Sequence, residues 1–246
     1  DVMMQGIYSA PIRELDFASI FPAPFEKESY FRYLKRLKSK DKMISISFAK
    51  GNQEFIDSLR KYLSSHIVQE KKEKINLNVN TIIATNAHDA ANLLSQNNLS
   101  HFNLDKISYL PLFSTTVFTH TPTPYLQKAF GCLFPEKNSP IKAKGVINNG
   151  HLFPNRFHFP AQASYTFISK HDHSLENDMN YLQIIPLEIH KNYWPKALPF
   201  YNVERQEIIT QLKSHLFKEN ISFVGNYLSG ISLRHIKQKK KNYDSF

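Results

Sequence analysis

The chain has 246 residues, 41% of them hydrophobic, and a formal net charge of +10. This length and apolar content suit one large domain or two small ones with a packed core, and disorder is not the default. A single cysteine, Cys132, excludes an internal disulfide and any multi-cysteine zinc site, and no run reaches the ~18 apolar residues of a membrane-spanning helix.

The first residues, Asp1-Val2-Met3-Met4, carry neither a basic nor an apolar leader region, so no signal peptide is expected. A chain beginning with Asp is expected to continue upstream or to have been processed. Two helices are expected within 12–42, on either side of Phe21-Pro22-Ala23-Pro24, the second from Glu26 to about Lys40. Residues 52–63 give the clearest helix, with Asn52 as its cap and Phe55, Ile56, Leu59, Tyr62 and Leu63 on one face. Ile82-Ile83-Ala84 reads as a short buried strand, Asn86–Asp89 as a turn, and 89–95 as a helix.

From 105 to 190 short β-prone runs recur between Pro-, Asn- and Gly-containing turns: Ser114–Thr119, Gly145–Asn148, Ser164–Ser169, and Tyr181–Ile189 interrupted by Pro186. They predict an antiparallel or mixed sheet. Residues 203–217 return to helix, with Ile208, Ile209, Leu212 and Leu216 on one face, and Glu204, Arg205 and Glu207 forming its solvated start. A strand at 221–224 follows. The order is α/β, a β-rich block, then α/β again, the pattern of a domain inserted into a discontinuous host. Cys132 reads as a small buried apolar residue.

The last strand runs into Gly225-Asn226-Tyr227-Leu228-Ser229-Gly230-Ile231-Ser232-Leu233. A strand, a glycine turn and a helix start can face an anionic ligand, because unpaired N–H groups point outward and glycine lets a ligand approach the backbone. The same pattern also serves as a plain turn with a tight packing contact. The lysine runs at 35–40, 71–74 and 237–241 read as solvated helix ends and loops or, alternatively, as patches that attract nucleic acid or an anionic membrane, and no nucleic-acid signature accompanies them. His171-Asp172-His173 lacks the third ligand of a metal site and reads as a solvated loop, so no metal is expected. No Gly-x-Ser-x-Gly elbow or phosphate-binding Gly-Lys-Ser/Thr is present.

Residues 225–233 resemble the C-terminal flavin-contacting motif of protoporphyrinogen oxidases, in the flavin amine oxidase superfamily. Four further stretches resemble that family in its order. They are Gly6-Ile7-Tyr8 with Glu14-Leu15 and Phe21-Pro22; Ser47-Phe48 with Gly51 and Gln53; Leu152-Phe153-Pro154-Asn155-Arg156; and Trp194-Pro195-Lys196-Ala197-Leu198-Pro199-Phe200-Tyr201.

The resemblance implies an α/β (α+β) fold: a partial FAD-binding Rossmann-like domain with an inserted mixed β-sheet substrate domain. The implied segments are 1–45, the end of a helical substrate region; 46–104, part of the FAD domain; 105–192, the β-rich substrate domain; and 193–246, the C-terminal part of the FAD domain. The implied activity is FAD-dependent oxidation of protoporphyrinogen IX to protoporphyrin IX. Trp194, Gly225, Asn226, Gly230, Ile231, Ser232 and Leu233 would then border FAD, and Leu133 and Phe153 the tetrapyrrole. No catalytic residue is implied.

The implied partners are the substrate and an N-terminal half of the same protein, with a cytoplasmic location and peripheral contact at the inner face of the membrane. The sequence departs from the family in three places. It lacks Gly-x-Gly-x-x-Gly, its link from 65 to 82 is short, and its end is basic (Arg234-His235-Ile236, then Lys239-Lys240-Lys241). Two other readings stay open: another flavin amine oxidase or desaturase, against which the Leu152–Arg156 stretch argues, and a non-catalytic binding module of the same fold, which the short link and the altered end favour.

Overall fold

The computed structural model describes residues 2–20, 32, 47–69, 74–154, 156, 160–215 and 220–230. The expected helix from Glu26 to Lys40 lies outside them, as do Ile231, Ser232 and Leu233. The helices, in chain order, are α1 (Val2–Tyr8), α2 (Phe17–Ile20), α3 (Asn52–Tyr62), α4 (Ala87–Gln96), α5 (Asn149–Leu152), α6 (Glu176–Tyr181), α7 (Val203–His215) and α8 (Asn226–Ser229). The strands are β1 (Thr81–Ile83), β2 (Tyr109–Thr119), β3 (Gly131–Leu133), β4 (Gly145–Asn148), β5 (Ala163–Ser169), β6 (Glu188–Pro199) and β7 (Ile221–Phe223).

The chain divides into a unit of residues 1–20 with 72–246 and a unit of residues 21–71. In the larger unit β1 and β7 pair in parallel, Thr81 opposite Ile221 and Ile83 opposite Phe223. A parallel pair needs a long crossover between its strands, and here the crossover contains the whole β-rich block. Ile83 and Phe223 face a core shared with Ala87, Ala90 and Leu94 of α4 and Ile209 and Leu212 of α7. The α7 stripe expected from its spacing is therefore the buried one, as far as Leu212.

The inserted block is a five-stranded sheet in the order β3-β4-β5-β2-β6. All four of its strand pairs are antiparallel, so this sheet is not mixed. Short antiparallel links explain this within β3-β4-β5. On β5, Ala163, Tyr165 and Phe167 alternate into a second core with Val117 of β2 and Met179 of α6.

The strand expected at 181–189 is corrected. Residues 176–181 are helical and a strand begins only at Glu188. Buried Asp178 holds this turn in place by accepting the backbone N–H groups of Lys142 (3.0 Å) and Ala143 (2.9 Å) and bonding His173 Nε2 (3.2 Å). His171-Asp172-His173 is a loop, as expected, but it is not solvated throughout, since the His173 side chain is largely buried against Asp178. Cys132 is half-buried on β3, and burial pushes its thiol up. The expected boundary at 192/193 falls inside β6.

In the smaller unit, Gly51 rather than Asn52 caps α3; its φ of 90° is one that glycine tolerates. The Glu54 carboxylate accepts the Lys50 N–H (2.9 Å), and Phe48 stacks on Phe55 at 5.1 Å.

Candidate functional site

After β1 the chain turns through Ala84-Thr85 into α4, and after β7 through Val224-Gly225 into α8. Because the strands run parallel, both turns lie at the same end of the pair, the end where open α/β sheets place ligands. The N-terminus of α4 is internally satisfied. Asn86 Oδ1 accepts the Asp89 N–H (3.0 Å), and the Tyr109 hydroxyl accepts the Ala87 N–H (2.9 Å). His88 packs edge-on against Tyr109 and bonds the Ile107 carbonyl at 2.8 Å.

The second turn is closely packed. Gly225 is extended (φ 173°), so its backbone needs no glycine, but a Cβ there would lie 2.6 Å from the Tyr227 ring and 3.4 Å from the Thr85 carbonyl. Tyr227 is fully buried, so that ring has no space to yield. The Tyr201 hydroxyl donates to the Asn226 carbonyl (2.8 Å), joining the end of β6 to α8. Gly230 is buried with φ 107° and ψ 173°, a conformation available essentially to glycine alone.

Beside this turn lies a cluster of tyrosines around one arginine. Arg205 is 3% exposed; its guanidinium sits 4.4 Å above the Tyr201 ring and donates to Ser19 Oγ at 3.0 Å. Ser19 donates in turn to Gln206 Oε1 (3.0 Å), and Tyr8 meets Tyr201 edge-on at 5.5 Å. Among the described residues Arg205 forms no ion pair, and Arg205 Nε and Tyr227 Oη are buried without a partner.

Burial lowers the Arg205 pKa, and the neighbouring Tyr201, Asp16 and Tyr109 oppose that shift. Burial pushes Tyr201 up to about 12 against the pull of Arg205, and it raises Tyr227, Tyr109 and Tyr8 as well. These phenols keep their protons at neutral pH. The cluster therefore offers hydrogen-bond donors and one buried cation, and no general base.

Gly225, Asn226 and Gly230 come together on the α8 turn. Trp194 lies on β6, paired with Leu112, 56% exposed, with its indole N–H donating to Ser114 Oγ at 3.2 Å. The pairing slips just beyond it, where Pro195 offers no N–H to the ladder. Leu133 lies on β3, at the opposite edge of the same sheet, four strand spacings or about 19 Å away. Leu133 packs on Gly6 of α1, where a Cβ would lie 2.5 Å from it. Phe153 follows α5, its ring under the Arg156 guanidinium at 4.1 Å. The structure thus separates Leu133 from Trp194 and keeps the α8 residues together.

Sequence reading missed Arg205, taken as part of a solvated helix start. Its spacing gave a signal: Ile208, Ile209 and Leu212 follow at three, four and seven residues, on the same buried face.

No family model and no curated protein matches the chain. Among solved structures, a putative protoporphyrinogen oxidase from Exiguobacterium sp. 255-15 is similar over 98% of this chain and 61% of its own, with a TM-score of 0.66 and 11% identity. A reduced UDP-galactopyranose mutase is similar over 60% of this chain and 35% of its own, with a TM-score of 0.49 and 16% identity. The chain thus spans about three-fifths of the oxidase's length, and at this identity the likeness is one of fold.

Proposed function

We propose that the chain is part of a protoporphyrinogen oxidase-type flavoenzyme, which oxidises protoporphyrinogen IX to protoporphyrin IX with FAD. The observation that carries the reading is the agreement of two independent likenesses. One fold match covers 98% of the chain, and five family-like stretches run through it in order. FAD, when bound, would supply the redox chemistry, and the protein orientation and electrostatics.

The residues present fit only one wall of such a site. Gly230 keeps its stretch of backbone free of a side chain, and Arg205 Nε and the Tyr227 hydroxyl are buried donors without partners. The absence of a side chain at Gly225, in contrast, is already explained by Tyr227 and Thr85. A dinucleotide's pyrophosphate needs a strand-to-helix turn of the Gly-x-Gly-x-x-Gly kind, and this sequence has none. The described residues therefore do not make a complete flavin cradle. The proposal assigns the remainder to a further segment of the same protein, and assigns Trp194 and the α8 turn to the flavin side and Leu133 and Phe153 to the tetrapyrrole side. Peripheral contact with an anionic membrane belongs to the same proposal.

The test is to read the coding DNA upstream of Asp1 and purify the product of the whole open frame. The proposal expects a strand followed by Gly-x-Gly-x-x-Gly, a yellow protein, and fluorescent porphyrin formed from protoporphyrinogen IX. A colourless product that forms no porphyrin overturns it. That result would support the second reading, a non-catalytic module of the same fold, which the packed state of Gly225 favours.

A further inference from the structure

The loop of residues 134–144 joins β3 to β4, and β5 ends beside it, since Gly145 pairs with Ile168. Between this loop and the segment after β5 lies a cavity of about 610 Å³, within the range of small-molecule sites. Four lysines line it: Lys137, Lys142, Lys144 and Lys170, together with His171 and His173.

The carboxylates nearby do not neutralise this charge. Glu136 is the only one in the wall, and it is paired with Lys144, whose Nζ approaches to 2.8 Å and whose side chain is 8% exposed. The Lys144 hydrogen bond, with the charges of Lys144, Lys170 and His171, holds the Glu136 carboxyl below its ordinary value against a smaller effect of burial. Asp172 is paired with Lys191 on β6. Asp178 is fully buried and occupied by two backbone N–H groups and His173. Among the described residues Lys137, Lys142 and Lys170 have no carboxylate partner. Three like charges in one concave wall repel one another and raise the local concentration of anions.

The remaining wall is apolar, from Phe134, Pro135 and Ile141. Ser139 Oγ accepts the Ile141 N–H at 3.1 Å, which leaves its own O–H to donate. A monoanion would leave most of the lysine charge unbalanced, whereas a phosphate monoester carries close to two charges and several acceptor oxygens. We propose that this cavity binds a phosphate monoester, its head held by Lys142, Lys170 and the His171 imidazole and its organic body against Phe134 and Ile141. Its lining shares no residue with those assigned to the flavin side. Two sources share this chemistry, a soluble phosphate ester and a lipid phosphate headgroup.

The experiment uses the 246-residue chain, phenyl phosphate as the soluble probe by calorimetry, and phosphatidylcholine vesicles doped with phosphatidic acid as the membrane probe by flotation. Lys142→Gln with Lys170→Gln tests the cavity, and Lys144 is left alone because it is packed. Lys61→Gln with Lys106→Gln, both exposed and outside the cavity wall, removes the same net charge and serves as the control. The proposal expects the cavity pair to weaken binding about 10-fold or more, and the control pair to change it little. This pattern with phenyl phosphate indicates a soluble ligand, and the pattern with vesicles alone indicates a headgroup. Equal losses in both pairs would reduce the effect to net charge and overturn the proposal, as would the absence of binding to either probe.

Discussion

Gly225 and Gly230 belong to one turn but are required for different reasons, and substitution separates them. At Gly225 the backbone is ordinary and the obstacle is the buried Tyr227 ring, 2.6 Å from where a methyl group would sit. Gly225→Ala is expected to cost about 1–3 kcal/mol by overpacking in urea unfolding, and less in a Tyr227→Leu background, where the ring is gone. At Gly230 the φ of 107° makes any side chain strained whatever the space. Tyr227 also carries a buried hydroxyl with no partner. Tyr227→Phe removes that uncompensated group, so the unfolding midpoint is expected to rise or hold, with a gain of up to about 1 kcal/mol. A clear loss would show that the hydroxyl is bonded in solution. The glycines were visible in the sequence, but the reason for Gly225 was not, because it depends on where the Tyr227 side chain turns.

At the scale of elements, local patterns were legible and long-range anchors were not. The periodicity of α7 and the apolar runs of β1, β4, β5 and β7 could be read directly, since burial on one face is written in residue spacing. The strand expected at 181–189 was misread in its first part because a helix at 176–181 precedes it, fixed by Asp178 reaching the backbone at 142 and 143, 36 and 35 residues away. Asp178→Ala would leave those N–H groups without an acceptor, one of them on buried Ala143. It is expected to cost about 3 kcal/mol in urea unfolding. Strand β3 was missed because it has only three residues and begins at Gly131, whose φ of 155° and close approach to the Val146 carbonyl place it by contact with β4.

At the scale of the whole molecule, the α/β, β-rich, α/β order in the sequence anticipated β1 and β7 pairing across an inserted sheet. It did not anticipate that tyrosines at positions 8, 109, 201 and 227 would gather beside the host strands, Tyr201 and Tyr227 fully buried and Tyr8 and Tyr109 partly so. Their shared burial has a consequence at alkaline pH. The folded pKa of Tyr201 is about 12 against an ordinary value of 10.0. Between those values the folded chain keeps a proton that the unfolded chain has lost, so unfolding releases a proton and stability falls as pH rises. Tyr201 alone contributes about 3 kcal/mol that is fully present below pH 10 and lost by about pH 12. Tyr227, shifted in the same direction, steepens the fall. Urea midpoints measured through this range should decline, and decline less steeply in Tyr227→Phe.

Among the described residues β6 has a neighbour on one side only, β2. Its outer rim therefore presents backbone donors and acceptors that another extended chain could match, the arrangement from which edge-to-edge aggregation grows. Two features of the strand oppose that growth. Lys196 sets a positive charge on the strand that a second copy in register would have to oppose, whereas Lys191 is already paired with Asp172. Pro195 has no N–H, and at it the pairing with β2 already slips, which breaks the regular run of the strand. The residue that the sequence offered as part of a family-like Trp-Pro pair thus also acts as a gatekeeper, limiting how far any added strand can zip along the sheet.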